Sequence, residues 1–142
     1  MTALIGRIIT GALVVLILQL GAGVHARADD PHLGIIEYEI ACMPCHGVDG
    51  RGNGPRAKSL KIAPADLTKV AKSNNGDFPS EAIADVIDGR ATVAAHGARD
   101  MPVWGDRYRT KTDTTETPAE IDQRARAQIA ALVRYLKTIQ EK

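Results

Sequence analysis

The segment from Cys42 to His46, Cys-Met-Pro-Cys-His, constrains this chain more than any other feature, because it contains both cysteines of the 142 residues. Two thiols three positions apart fall on one face of a single helical turn, and the histidine follows directly. Cys-x-x-Cys-His is the attachment signature of a c-type haem. The motif predicts one covalently attached haem, with thioether bonds from Cys42 and Cys45 and with His46 as an axial ligand of the iron.

Two other kinds of site use a Cys-x-x-Cys pair. A thioredoxin-like redox pair requires a preceding strand in a βαβ unit, whereas the flanks of this motif favour helix and loop. A zinc site requires two more cysteine or histidine ligands at suitable spacing, and none lies nearby in the sequence. The adjoining histidine and an export signal upstream favour haem.

The pattern of residues 1–28 is typical of a secretory signal peptide. Arg7 provides a positive charge, and the run from Ile8 to Leu20 is apolar except for one Thr, one Gly and one Gln. Ala26-Arg27-Ala28 fits the small-x-small cleavage rule and predicts a cut before Asp29, with the bond after Ala26 as the second choice.

An uncleaved membrane anchor over residues 8–24 is the alternative to cleavage. The apolar run is short for a membrane-spanning helix, which needs about 20 residues. In either case residues 29–142 lie outside the cytoplasm. We therefore expect a periplasmic protein that contacts the membrane only if the segment is retained.

Residues 29–142 fit one domain. Removal of residues 1–28 lowers the 18 basic side chains to 16, against 17 acidic ones, because only Arg7 and Arg27 are lost. This balance excludes nucleic acid as an expected partner, since phosphate binding requires a strong basic excess. The chain has only one Trp, one Phe and three Tyr, so a buried haem would add apolar mass to a thin core.

Two helices are predicted at the ends of this domain. Asp30 and Pro31 suit an N-cap and first helical position, and this helix should run to about Ala41. Its apolar stripe consists of Leu33, Ile36 and Ile40.

The second helix should begin with a capping box formed by Thr117, Pro118 and Glu120, and it should reach about Gln140. We expect Leu132 and Tyr135 of the second helix to pack against Gly34 and Tyr38 of the first.

The chain between these helices alternates loops and short helices. Four glycines between Gly47 and Gly54 favour a loop that ends at Pro55. A short helix should begin at Asp66 and end near Ser73, and Ser80 should cap another that stops at Gly89. Residues 106–117 are polar and rich in threonine, which predicts a surface loop.

A methionine followed by proline, Met101-Pro102, is the candidate for the sixth ligand of the iron. Thioether sulfur suits haem iron, and Met/His ligation raises the reduction potential. Met1 lies in the signal and Met43 lies inside the haem motif, so Met101 is the favoured sulfur. His96 is the rival ligand. Trp104 is expected to pack on the porphyrin.

Taken together, the mature chain resembles the class I cytochromes c, the monohaem electron carriers of bacteria. The resemblance rests on five features, namely Gly34-x-x-x-Tyr38-x-x-x-Cys42, Cys42-x-x-Cys45-His46, Gly54-Pro55, Met101-Pro102-x-Trp104-Gly105 and Leu132-x-x-Tyr135. It implies a small all-α cytochrome c fold of about four or five helices around one haem c. It also implies His46 and Met101 as axial ligands, and the Pro55 carbonyl as acceptor of the His46 Nδ1–H bond.

The expected function is electron transfer between extracytoplasmic redox proteins, an unidentified donor and acceptor, by cycling of Fe(III) and Fe(II). The alternative is a haem-containing subunit of a larger oxidoreductase, or a sensor or enzyme with an open sixth position on the iron. A candidate ligand in the region of Met101 favours the carrier, which is not itself an enzyme.

Overall fold

The computed structural model describes residues 30–91, 101–110 and 115–142, and all regular secondary structure within these ranges is helical. The predicted all-α class is confirmed. The helices, numbered here in chain order, are α1 (Pro31–Ala41), α2 (Met43–His46), α3 (Val70–Ser73), α4 (Ser80–Asp88), α5 (Trp104–Tyr108) and α6 (Pro118–Thr138), with 3-10 turns at Ala57–Ser59 and Leu67–Lys69. None of the described helices is long and apolar enough to cross a membrane.

Helix α1 begins as its sequence predicts, but it buries a different face. The Asp30 side chain accepts a hydrogen bond of 2.9 Å from the backbone N–H of His32, and Pro31 follows in the first turn. The expected inward stripe was wrong, because Ile36 and Ile40 are 49% and 68% exposed. The buried face consists of Gly34, Glu37, Tyr38 and Ala41.

The crossing of α1 and α6 explains this choice of face. A Cβ atom on Gly34 would overlap the carbonyl oxygen of Ala131 and would lie 2.9 Å from the Cβ of Tyr135, so the two backbones touch at this glycine. Beside the crossing, the Tyr38 and Tyr135 rings pack with centroids 5.0 Å apart. Leu132 is completely buried. The predicted packing of the last helix on the first is confirmed.

Helix α6 has the predicted capping box at its start. The Thr117 Oγ1 accepts from the backbone N–H of Glu120 at 3.3 Å, and the Glu120 carboxylate accepts from the backbone N–H of Thr117 at 2.7 Å. The helix ends at Thr138, so Gln140 lies beyond it. The Gln140 amide instead donates to the Leu67 carbonyl at 2.8 Å and accepts from the Ala71 N–H at 2.9 Å. The C-terminus is thereby tied to the middle of the chain.

Two predictions about local structure are corrected. Ser80 is the first residue of α4 and Pro79 is its N-cap, without a capping hydrogen bond from a side chain, whereas the predicted stop at Gly89 is confirmed by a left-handed φ of 80°. The segment predicted as a surface loop over residues 106–117 begins inside α5. Its Arg109 pairs with the buried carboxylate of Asp88, which the polar composition of the segment did not indicate.

Candidate functional site

Helix α2 gathers the motif side chains within one turn. The backbone N–H groups of Cys45 and His46 both donate to the carbonyl of Cys42, at 3.1 and 2.8 Å. Pro44 occupies the first turn, where its missing N–H costs no hydrogen bond. Because α1 ends at Ala41, immediately before Cys42, the packing of α1 on α6 fixes the place of the motif in the fold.

The two cysteines are free thiols in different environments. Cys42 is buried, and Cys45 is partly exposed. Burial, together with the neighbouring Cys45 and Glu37, raises the pKa of the Cys42 thiol to about 12. The thiol is therefore protonated at neutral pH. A catalytic dithiol needs a cysteine with a depressed pKa, so this environment is the opposite of a thioredoxin-like site.

The motif forms one wall of an apolar cavity. Mostly apolar walls with a few polar groups are typical of cofactor pockets. Five of the residues singled out in the sequence line this cavity, namely Cys42, Cys45, His46, Met101 and Trp104. Its other lining residues are Ala41, Leu60, Ile62, Ala63, Pro64 and Pro102.

A hydrogen bond of 2.9 Å from Nδ1 to the carbonyl oxygen of Ala65 orients the buried His46 ring. Because a carbonyl only accepts, Nδ1 donates its proton in this bond. In the neutral ring this tautomer has its lone pair on Nε2, through which it can bind a metal. The resemblance implied Pro55 as the acceptor, and this expectation is corrected. Pro55 is exposed, and the acceptor lies ten residues further along the chain.

The glycine-rich loop after His46 folds back onto α2. The Gly52 N–H donates to the His46 carbonyl at 2.8 Å, and the Gly54 N–H donates to the Cys45 carbonyl at 3.0 Å. The buried hydroxyl of Tyr38 donates to the Gly47 carbonyl at 2.5 Å, which anchors the start of the loop to α1. The loop leads to the segment that carries Ala65, and so supports the imidazole from behind.

Met101 and Trp104 bring a second segment to the cavity. Met101 is half-buried and packs against the hydrophobic core, and Trp104 is buried at the start of α5. The Arg107 guanidinium lies 4.9 Å from the centroid of the Trp104 ring, a cation–π contact. His96, the rival ligand, lies outside the described residues, as does the segment predicted to be a signal peptide.

The donor set of the cavity fits a haem. It combines two thiols, an imidazole with an oriented lone pair and a thioether sulfur around apolar walls, which are the groups that attach and ligate haem c. Over residues 30–91, 101–110 and 115–142, no group of three or more His, Cys, Asp and Glu side chains is arranged to hold a metal ion. The two cysteines therefore have no zinc-site partners in this part of the chain.

Three residues at or near the site were missed in the sequence. Ala65 acts through its backbone carbonyl, and a backbone group carries no signal in residue type. Asp88, at the end of α4, and Arg109, which directly follows α5, form an ion pair beside the helix after Met101. Only their pairing in the fold distinguishes them from ordinary surface charges.

A family model matches most of the chain. The family model described as Cytochrome c matches residues 37–140, from the middle of α1 to just past the end of α6. Comparisons with curated proteins and with solved structures gave no match.

Proposed function

Because the chain belongs to the cytochrome c family, we propose that it is an exported monohaem electron carrier in which His46 and Met101 are the axial ligands of the iron. The family carries covalently bound haem c and transfers electrons. The observation that supports the ligand assignment is that His46, Met101 and both cysteines line one apolar cavity. Bound haem would supply an iron that exchanges one electron between its ferric and ferrous states.

The chain's own residues would attach, orient and enclose the group. Each thiol of Cys42 and Cys45 would add its sulfur and its hydrogen across a vinyl double bond, which forms a thioether without an oxidant. The bond from His46 to Ala65 holds the imidazole in one tautomer and one orientation. The apolar walls of the cavity would exclude water from the bound haem, and Met/His ligation would raise its reduction potential.

The test of the carrier assignment is the sixth position of the iron. We expect the ferric protein to show the weak red absorption of sulfur-to-iron charge transfer, and the ferrous protein to be low-spin and to bind carbon monoxide poorly. Met101→Ala should abolish the red band and open the site, with the covalent haem retained. A wild-type ferrous protein that is high-spin and takes up carbon monoxide rapidly would instead indicate a sensor or an enzyme.

The rival ligand provides the matched control. His96→Ala should leave the red band and the carbon monoxide kinetics as in the wild type. If His96→Ala changes the spectrum while Met101→Ala does not, the haem is bis-histidine. The ligand assignment is then wrong, whereas the carrier function stands.

The attachment is tested by extraction. The wild-type haem should survive acid-acetone because both thioethers are formed. Cys42→Ala should give a single-thioether or poorly matured protein, seen in the absorption maximum of the reduced pyridine complex. Free extraction of the wild-type haem would contradict covalent attachment through Cys42 and Cys45.

The proposed location is the periplasm, with cleavage before Asp29 and with a donor and an acceptor protein as partners. The intact mass of the exported protein should correspond to residues 29–142 plus one haem. Recovery of a chain in the membrane fraction that still contains Arg7 would show that residues 8–24 act as an anchor.

A further inference from the structure

We propose that Arg109 and Asp88 are positioning residues for the sixth iron ligand, because their ion pair fixes the helix that follows Met101 and so holds the sulfur at the iron. This inference rests on the proposed role of Met101. Neither Arg109 nor Asp88 lines the cavity.

The carboxylate of Asp88 is buried and is bound by two arginine side chains. Its side chain is only 3% exposed at the C-terminal end of α4, and it accepts hydrogen bonds from both terminal nitrogens of Arg109, with Nη2 at 3.2 Å. The Nε of Arg90 lies 2.8 Å from the same carboxylate. These cations hold the pKa of Asp88 below its usual range, chiefly through the bond from Arg109.

Arg109 joins three helices. It is the residue that follows the last residue of α5, its terminal nitrogens bind Asp88 of α4, and its Nε donates to Asp122 of α6 at 3.0 Å. A planar guanidinium with fixed donor directions can satisfy two carboxylates at once, which a lysine ammonium on a flexible stem does less well. The C-terminal end of α5 is therefore held from two sides.

The N-terminal half of α5 rests on the same carboxylate. A Cβ atom on Gly105 would collide with the Asp88 Oδ1 and would lie 2.6 Å from the Asp88 backbone oxygen. The helix thus sits directly on the end of α4, with no space for a side chain between them. Because Asp88 contacts the backbone of α5 directly, a movement of Asp88 or Arg109 would also move α5.

Only two residues separate Met101 from α5. Pro102, with its fixed φ, and Val103 connect the sulfur-bearing residue to Trp104, and both Met101 and Trp104 line the cavity. A shift of α5 therefore displaces Met101 by a similar amount. A functional group must be held within about 0.5 Å of its working geometry, so a loosened α5 weakens the bond from sulfur to iron.

Without Arg109, the buried carboxylate of Asp88 keeps only Arg90, whose side chain is 60% exposed. Loss of one partner of a buried charge is destabilising, and outward movement of α5 is the direct way to hydrate the carboxylate. We therefore expect Arg109→Gln to release Met101 more readily than the wild type does. The measurement is the affinity of exogenous imidazole for the ferric holoprotein, since imidazole competes with the methionine. The dissociation constant of imidazole should fall about tenfold. This change corresponds to a loss of about 1.4 kcal/mol in the free energy of the bond between Met101 and the iron.

Arg126→Gln is the matched control. Arg126 bonds to the other oxygen of Asp122 at 2.6 Å, and its side chain is 69% exposed. This variant removes the same charge from the same network without touching Asp88, so its imidazole affinity should equal that of the wild type. Arg109→Lys keeps the positive charge but loses the planar guanidinium that binds Asp88 and Asp122 at once. Its affinity for imidazole should therefore lie between those of the wild type and Arg109→Gln. It also serves as the test variant if Arg109→Gln fails to mature.

A second measurement does not depend on the iron. Amide hydrogen exchange of the holoprotein should speed up over residues 104–110 in Arg109→Gln and stay unchanged over residues 31–41. The double variant Asp88→Asn with Arg109→Gln removes both charges of the pair, of which only Asp88 is buried, and should recover part of the wild-type imidazole affinity.

The proposal is overturned if Arg109→Gln unfolds at lower denaturant concentration but binds imidazole as the wild type does, because the ion pair would then be structural only. A different result marks failure of the underlying ligand assignment. If Met101→Ala itself binds imidazole no more tightly than the wild type, Met101 is not the ligand, and Arg109 has no sulfur to position.

Discussion

The contact between α1 and α6 at Gly34 leads to a prediction with an unusual sign. Gly→Ala in the interior of a free helix stabilises it by about 1 kcal/mol, because alanine loses less backbone entropy on folding. In this protein the added methyl group would overlap the carbonyl oxygen of Ala131 and would lie 2.9 Å from the Cβ of Tyr135. We expect Gly34→Ala to destabilise the fold instead.

The size of the expected loss depends on which atoms the added methyl group meets. Overpacking of a core costs about 1–3 kcal/mol, and the upper end applies when the obstacle is backbone, which cannot rotate away. After subtraction of about 1 kcal/mol for helix propensity, the net loss in the free energy of unfolding is about 2 kcal/mol. Trimming the neighbour does not remove a backbone oxygen, so Ala131→Gly should not rescue the variant.

Guanidinium unfolding of the ferric holoprotein, followed by circular dichroism, measures this loss as a lower midpoint at unchanged slope. Ala130→Gly, at an exposed position of α6, is the control for helix propensity alone and should cost about 1 kcal/mol. A Gly34→Ala midpoint at or above that of the wild type would refute the close approach of the two helices.

Four further outcomes are expected. Tyr38→Phe leaves the buried Gly47 carbonyl with only the longer hydrogen bond of 3.3 Å from the Gly50 N–H and should lower the free energy of unfolding by about 1 kcal/mol in the same assay. Thr117→Ala removes the N-cap of α6 and should cost about 1 kcal/mol, whereas Thr117→Ser should cost little. Because Arg109 depresses the pKa of Asp88, the carboxylate contributes stability that is fully present above about pH 4 and is lost as the pH falls through the depressed value. The stability gap between the wild type and Asp88→Asn, measured across a series of acidic buffers, should therefore shrink below about pH 4 and stay constant above it. Met101→His should lower the reduction potential in voltammetry, since imidazole favours ferric iron more than thioether does.

The chemistry of the site could be predicted from the sequence because it depends on residue type at fixed local spacing. Cys42, Cys45 and His46 lie within one helical turn, so no long-range information is needed to bring them together. The same holds for the ends of the helices, where Asp30 and Thr117 cap the backbone within three residues of themselves. Met101 could be singled out only because the chain has few sulfur atoms, and the structure adds that it lines the same cavity as the motif.

The fold alone decided which face of each helix is buried and which groups support the site from behind. Ile36 and Ile40 have a helical hydrophobic spacing, yet they are exposed, because a glycine that permits close backbone contact outweighs an apolar stripe in choosing the crossing face. The acceptor for His46 is the backbone carbonyl of Ala65, and any residue type could provide it. Arg109 and Asp88 are 21 positions apart in the chain, yet their side chains form a hydrogen bond. Sequence spacing does not predict such a contact, because only the packing of the helices brings the two charges together.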